Sequence, residues 1–147
     1  MTGTSEPAAD DAASWRARRR EAAGAHAEAL AARQRAESAR ARALIEEFLV
    51  AVRRDGPAPV PLHVRSYDGR AHYRTPVEGW YLRRDGTVGI GTDGAFYVLT
   101  APSSLAARFR GVRPTPQDPP LVIGAGGKDG ESVDMADALR RVRDGQV

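Results

Sequence analysis

The chain of 147 residues contains no cysteine. This absence excludes a disulfide framework, a thiol nucleophile, a thiolate zinc site and a cysteine-ligated iron–sulfur cluster. Several classes of enzyme and of small metal-stabilised domain are therefore ruled out before any motif is considered.

The sequence also lacks a long hydrophobic run. No stretch approaches the roughly 18 consecutive apolar residues that a membrane span requires. The N-terminal segment MTGTSEPAADDAAS is acidic and has no apolar core of the kind found in signal peptides. We therefore expect a cytoplasmic protein without a membrane partner.

Lysine and asparagine are almost missing from a chain whose formal net charge is +3. Lys128 is the one lysine among 22 basic residues, and asparagine does not occur. A basic balance attracts nucleic acid, but this composition is typical of GC-rich coding, and 19 acidic residues nearly offset the arginines. Charge alone is thus weak support for a nucleic-acid partner.

The residues that are present divide the chain into four segments. Residues 1–13 show no apolar periodicity and predict a disordered tail. Residues 14–54 are rich in Ala, Arg, Glu and Leu, which predicts one long helix that stops at Asp55-Gly56-Pro57. A Pro-rich linker over residues 55–62 then leads to a strand-rich α+β domain over residues 63–147.

Asp-Gly pairs mark turns within the predicted domain, at residues 68–69, 85–86 and 93–94. Asp-Gly between alternating apolar and polar runs is a strong hairpin signal, because the type I′ turn needs positive φ at both central residues. A short helix is favoured after Pro102, and Ser132 is a candidate N-cap for the last helix. The predicted fold is α+β, with a long N-terminal helix, a small antiparallel meander sheet and a C-terminal helix.

The predicted N-terminal helix has two different faces in succession. An apolar stripe near its end indicates a surface that packs on the domain, and comprises Leu44, Ile45, Phe48, Leu49 and Val52. Upstream, alanines recur with the 3,4 spacing of the a and d positions of a coiled coil. These seam alanines are Ala22, Ala25, Ala29, Ala32, Ala36, Ala39 and Ala43. Because alanine is the commonest residue of the segment, composition alone is the alternative explanation of the spacing.

A glycine-rich loop lies between a predicted strand at residues 121–123 and the last helix. The free N–H groups of such a loop can bind an anion. The candidate anion loop comprises Gly124, Gly126, Gly127 and Lys128. Its Walker pattern is incomplete, because Val122 stands where the first glycine is required and Asp129 follows the lysine. A plain surface loop is the alternative.

Aromatic residues alternate with arginines in the predicted sheet, as they do in base-stacking platforms. The aromatics are Tyr67, Tyr73, Trp80, Tyr81 and Tyr97, and the arginines are Arg65, Arg70, Arg74, Arg83 and Arg84. Together with the helix arginines they support a second hypothesis, nucleic-acid binding. The alternative is that the rings pack in the core and the arginines cover its edges.

No pattern supports a catalytic, cofactor or metal site. The histidines His26, His63 and His72 show neither i, i+4 spacing on a helix nor an HxH pattern, and no serine lies in G-x-S-x-G. The letters GxGxxG occur at residues 89–94, but a strand follows them, which favours a hairpin over a dinucleotide site. We expect no metal and no cofactor; catalysis is unsupported, although residues distant in sequence can meet in the fold.

Two segments, GWYLRRDGTVGIGTDGAFYVLTAP and DPPLVIGAGGKDGESVDMADAL, resemble small proteins of high-GC actinobacteria that have no established activity. The resemblance implies a bacterial cytoplasmic setting and carries no catalytic residue with it. Our leading hypothesis is a non-catalytic interaction or regulatory module that self-associates or binds a protein partner through the seam alanines. The alternatives are nucleic-acid binding, and a small anion-binding protein or enzyme that uses the glycine loop.

Overall fold

The computed structural model describes residues 6–124 and 131–147, and this part of the chain has the predicted α+β architecture. The elements are α1 (Glu6–Asp55), β1 (Val60–Ser66), β2 (His72–Tyr81), β3 (Val88–Gly91), β4 (Phe96–Val98), β5 (Thr100–Ala101), α2 (Leu105–Arg110), β6 (Val122–Ile123), β7 (Val133–Asp134) and α3 (Met135–Arg143). The chain divides into two units, Met1–Ala36 and Glu37–Val147, so the boundary falls within α1. No helix in the described ranges is long and apolar enough to cross a membrane.

Helix α1 begins at Glu6 rather than at Ser14. This corrects the disordered tail predicted for residues 1–13, because residues 6–13 are helical; residues 1–5 lie outside the described residues. Proline is tolerated in the first turn of a helix, where its missing N–H has no intrahelical partner. The alanines that follow are strong helix formers, and acidic residues near a helix N-terminus interact favourably with its dipole.

Within the second unit, α1 packs through the predicted apolar stripe. Ile45, Phe48, Leu49 and Val52 are buried against strands of the sheet and against α3, and Leu44 packs at the margin. The Phe48 and Trp80 rings meet edge to face, with centroids 5.5 Å apart. Such aromatic pairs contribute about 1 kcal/mol beyond the burial of their area. The stripe therefore anchors this part of the helix.

The five-stranded sheet has the order β4-β3-β2-β1-β5. Strands β1 to β4 form the predicted antiparallel meander, while β5 pairs parallel to β1, so the sheet is mixed. Strands β4 and β5 lie at opposite ends of this order, yet Leu99 alone separates them in the chain. The Leu99 N–H donates to the Thr87 carbonyl (2.7 Å) and the Leu99 carbonyl accepts from the Arg65 N–H (2.8 Å). The sheet therefore curls until its two edges meet in a small barrel.

Two hydrophobic clusters lie on the two faces of this sheet. The cluster enclosed by the curl comprises Leu62, Val64, Tyr73, Tyr97 and Leu99. On the other face, Trp80, Leu82, Val88, Ile90 and Phe96 pack with the stripe of α1 and with α3. Apolar side chains thus pack on both faces of the sheet, although Val98 of β4 is exposed.

The predicted Asp-Gly turns all form, including the hairpin at residues 89–94, but the predicted type I′ geometry is wrong, because φ is positive at each glycine and not at the aspartate before it. In each turn the glycine N–H donates to the carbonyl three residues earlier, so the aspartate and the glycine are the third and fourth turn residues. Gly69, Gly86 and Gly94 have φ between 72° and 87°, the left-handed region that glycine adopts without strain. In each turn the aspartate Oδ1 accepts from the N–H two residues later, at 2.9 to 3.0 Å. This is the side-chain turn that makes aspartate favourable at such positions.

Two element boundaries differ in detail from the prediction, and a third element forms where it was predicted. Strand β1 begins at Val60, so the linker predicted for residues 55–62 is reduced to residues 56–59. Helix α2 forms after Pro102 as predicted, and its N-cap Ser104 accepts from the Ala107 N–H at 3.2 Å. Helix α3 begins at Met135 rather than after Ser132, because residues 133–134 pair with β6 as strand β7.

Candidate functional site

The seven seam alanines are all exposed in the structure. From Ala8 to Ala36, every side chain of the first unit is exposed except that of Ala31, which is half-buried. In the second unit, Ala43 lies two residues from both Ala41 and Ile45, which are buried. At 100° per residue, that spacing places Ala43 about 160° around the helix from them. Ala43 therefore lies on the face of α1 opposite the face that is buried in the second unit.

The 3,4 spacing of the seam continues beyond the alanines in both directions. It passes through Arg18 to Trp15 on one side and through Glu46 to Val50 on the other. Trp15 is 54% exposed and Val50 is 61% exposed. Sequence reasoning missed Val50, although the 3,4 spacing of the seam, continued past Ala43 and Glu46, reaches it. Large apolar side chains thus stand at both ends of the seam.

The aromatic residues of the sheet do not form an exposed stacking platform. Tyr73, Trp80 and Tyr97 are buried, with 2%, 5% and 6% of their surface exposed. Tyr67 is exposed and Tyr81 is half-buried. The interpretation in which rings pack in the core therefore fits three of the five aromatics, and support for base stacking falls accordingly.

The candidate anion loop is described only at its first residue. Gly126, Gly127 and Lys128 lie outside the described residues, whereas Gly124 is exposed with a φ of 78°. A Cβ at Gly124 would lie 2.3 Å from Nη1 of Arg83, and the same Nη1 donates to the Glu131 carbonyl at 3.3 Å. Arg83 therefore lies beside both described ends of the loop.

A cleft in the second unit brings together basic residues that are distant in sequence. Its volume is about 490 Å³. On β1, His63 and Arg65 alternate with buried Leu62 and Val64, so they face away from the enclosed cluster; His72 pairs with Arg65 across the hairpin. The side chains that define this basic cleft are His63, Arg65, His72, Arg83 and Arg84, with Pro57, Val60, Trp80, Tyr81 and Val142 as the apolar and aromatic lining. Asp85 supplies the single acidic side chain among the described residues that line it.

Backbone carbonyls hold the three cleft arginines in place. Arg65 Nη1 donates to the Asp85 carbonyl (3.2 Å), and Arg84 Nη2 donates to the Gln146 carbonyl (3.3 Å). Arg83 donates to Glu131 as described above, and its Nε lies 3.4 Å from Asp85 Oδ2. A guanidinium has five N–H donors, so each of these arginines is positioned while keeping donors for another group.

The Asp85 carboxyl is held in its charged form by hydrogen bonds and by neighbouring arginines. Burial has the largest single effect on Asp85 and acts to raise its pKa. Hydrogen bonds from the Thr87 hydroxyl (2.7 Å) and N–H (3.0 Å), and the charges of Arg83 and Arg65, act in the opposite direction. Together they outweigh burial and hold the pKa of Asp85 below its ordinary value of 3.8.

The histidines do not assemble a metal site. The His63 N–H donates to the Tyr81 hydroxyl at 2.8 Å, which fixes the strand rather than the imidazole. In the described ranges, no group of three or more His, Asp or Glu side chains is placed to hold a metal ion. The cleft is therefore lined by hydrogen-bond donors and apolar surface rather than by metal ligands.

The comparisons with known proteins leave function to be argued from this geometry. No family model, no curated protein and no solved structure matches the chain.

Proposed function

We propose that the chain is a non-catalytic interaction protein that self-associates through the seam of α1. The observation that carries the proposal is the exposure of this helix: the side chains from Ala8 to Ala36 bury almost nothing within their own unit. Most helix stability in proteins comes from packing of one face rather than from propensity. A helix that leaves such a face uncovered is suited to pairing with another helix.

A second copy of the chain is the partner that fits the seam best. Small side chains allow two helix backbones to approach closely only where the facing helix is also small, and an identical seam meets that requirement. The spacing supplies seven alanine positions per copy, with Trp15 and Val50 at the ends. These two exposed side chains supply apolar area that alanine alone does not.

The expected affinity is low. A buried methyl group contributes about 0.8 kcal/mol, so fourteen alanines in a pair contribute at most roughly 11 kcal/mol. Association costs about 4 to 15 kcal/mol in lost freedom and side-chain ordering. The difference runs from about 7 kcal/mol in favour of association to about 4 kcal/mol against it, so the tightest dissociation constant that the alanines alone support is on the order of 10 micromolar. Self-association is therefore expected to depend on concentration and to respond to single substitutions.

Charges beside the seam do not select one orientation. In a parallel pair, Glu28 of one copy faces Arg33 of the other, but Arg35 faces Arg40. In an antiparallel pair centred near residue 30, Glu28 faces Arg35 instead. Each orientation gains an opposite-charge pair, so cross-linking has to distinguish them.

The absence of cysteine makes cross-linking a sharp test. The Ala29→Cys variant introduces a unique thiol in the seam, and the matched Ala27→Cys variant places one about 160° around the same helix. Mild oxidation is expected to give a disulfide-linked dimer with Ala29→Cys and little with Ala27→Cys if the pair is parallel. An antiparallel pair is expected to link a mixture of Ala29→Cys and Ala32→Cys chains in preference to either variant alone.

Sedimentation equilibrium supplies the second measurement. Glutamate at Ala29 and Ala32 buries charge in the seam and is expected to shift the chain to monomer, while Ala27→Glu leaves association unchanged. A wild-type chain that remains monomeric at millimolar concentration, together with equal cross-linking by the two cysteine variants, would refute self-association.

A further inference from the structure

We propose that the basic cleft binds a small ligand with a carboxylate or phosphate group on a flat apolar body. This site is separate from the seam of α1, and it uses none of the residues of the candidate anion loop. The proposal is drawn from the charges, hydrogen bonds and lining of the cleft.

Two of the cleft arginines meet at one residue. Arg65 contacts the backbone carbonyl of Asp85 and Arg83 contacts its carboxylate, so both guanidiniums contact the same residue. Arg84 follows Arg83 directly and lines the same cavity. The planar fork of arginine matches the geometry of carboxylate and phosphate oxygens and can bind them through two parallel hydrogen bonds.

The positive charge of the cleft is only partly neutralised, because three arginines line it against one acidic side chain, Asp85, among the described residues. Among the residues that the structure describes, no carboxylate forms an ion pair with Arg65 or Arg84, and Asp85 forms an ion pair with Arg83. Like charges held in one cavity repel each other, and an anion that enters relieves this repulsion. Arginines that only covered the edge of the core would not need to line a common cavity.

The rest of the lining selects the body of the ligand. Pro57, Val60 and Val142 are apolar, and the half-buried Tyr81 adds an aromatic ring fixed by its bond to His63. A volume near 490 Å³ lies within the roughly 300 to 1,000 Å³ of small-molecule sites. The cleft thus pairs an anion-binding side with an apolar side, and neither an inorganic ion nor a neutral ring satisfies both.

Tryptophan fluorescence tests the proposal directly, because the chain has two tryptophans and Trp80 lines the cleft. The Trp15→Phe variant leaves Trp80 as the sole reporter. Phenyl phosphate and benzoate are expected to change its emission saturably below 10 mM, inorganic phosphate at least tenfold more weakly, and phenol not at all. Comparison of the first two probes distinguishes a preference for phosphate from one for carboxylate.

Arginine variants locate the binding. Arg65→Gln and Arg84→Gln, each in the Trp15→Phe chain, are expected to weaken phenyl phosphate binding about tenfold, the effect of losing one charged hydrogen bond. Arg113→Gln removes the same charge outside the cleft and is expected to change affinity less than twofold. Arg65→Lys is the control for a folding defect, because it keeps the positive charge and removes the planar guanidinium. Its melting temperature is compared with that of the parent chain.

Three results would overturn the proposal. They are the absence of a saturable change with either aromatic anion, equal weakening by Arg113→Gln and the cleft variants, and binding of phenol as tight as that of phenyl phosphate. Binding of an acidic peptide or an oligonucleotide at this site, without binding of the small anions, would also count against it.

Discussion

Replacement of Gly79 by alanine tests the close approach of β2 and β3 on which the barrel depends. A Cβ at Gly79 would lie 1.9 Å from the carbonyl oxygen of Ile90 and 2.8 Å from the Cα of Gly91. Both atoms are backbone, so the strands must separate. Their pairing spans three residue pairs, and the loss of about three hydrogen bonds at roughly 1 kcal/mol each costs about 3 kcal/mol. The smaller conformational freedom of alanine in the unfolded chain offsets about 0.5 kcal/mol of this.

Urea and thermal unfolding measure the effect, with Trp80 emission in the Trp15→Phe chain as the signal. A loss of roughly 2.5 kcal/mol is expected to lower the melting temperature by about 10 °C. Gly24→Ala is the matched control, because a Cβ at Gly24 meets nothing within 4 Å and alanine favours a helix by about 0.5 to 1 kcal/mol. It is expected to raise helical ellipticity and leave unfolding of the second unit unchanged. If Gly79→Ala were as stable as the parent, the described pairing of β2 with β3 would be wrong.

Three further predictions address the core, the α2 contact and the charge of the cleft. Phe48→Ala removes a buried ring that packs on Trp80, and is expected to cost about 3 to 5 kcal/mol and to weaken the near-ultraviolet circular dichroism of the tryptophan. Tyr73→Phe deletes the hydroxyl that accepts from the Ser104 N–H at 2.9 Å; we expect a loss of about 1 kcal/mol and faster amide exchange in α2, and unchanged exchange would contradict the contact. Asp85 has a lowered folded pKa, so its contribution is fully present above pH 3.8 and is lost as the pH falls through the folded value. Because the Asp85 side chain is exposed, Asp85→Asn is expected to cost only about 0.5 kcal/mol at pH 6 and less as the pH falls below 3.8, as measured by urea unfolding.

Local chemistry accounts for what the sequence predicted well. The Asp-Gly turns depend on a glycine that accepts positive φ and on an aspartate that bonds two residues ahead, and neither requires a distant partner. The apolar stripe of α1 likewise follows from spacing within one helix. The helix start was misplaced because Pro7 and two aspartates resemble a loop, while in the first turns of a helix the same residues are favourable.

The closure of the barrel could not be predicted from the sequence, because it depends on contacts between residues that are far apart in the chain and on a very short strand. Strand β5 consists of two residues and pairs parallel to β1. Two residues are too few to show the alternation of apolar and polar side chains by which a strand is recognised. The basic cleft was missed for a related reason. Arginines alternating with aromatics were visible in the sequence, but a register shift between Pro61 and His63 and the curl of the sheet decide which face each side chain takes. The pattern left open whether the rings form a stacking platform or pack in the core, and the fold buries three of them.

The two proposed activities use separate residues and can fail separately. The seam is defined by one face of α1, and the cleft by side chains of β1, of β2 and of the turn after β2. Glutamate at Ala29 and Ala32 should therefore abolish association without changing the response of Trp80 to phenyl phosphate. Arg65→Gln should weaken that response and leave cross-linking through Ala29→Cys intact. If either variant altered both measurements, the site of self-association would have to be sought on the second unit, and cross-linking from cysteines placed beside the cleft would then locate it.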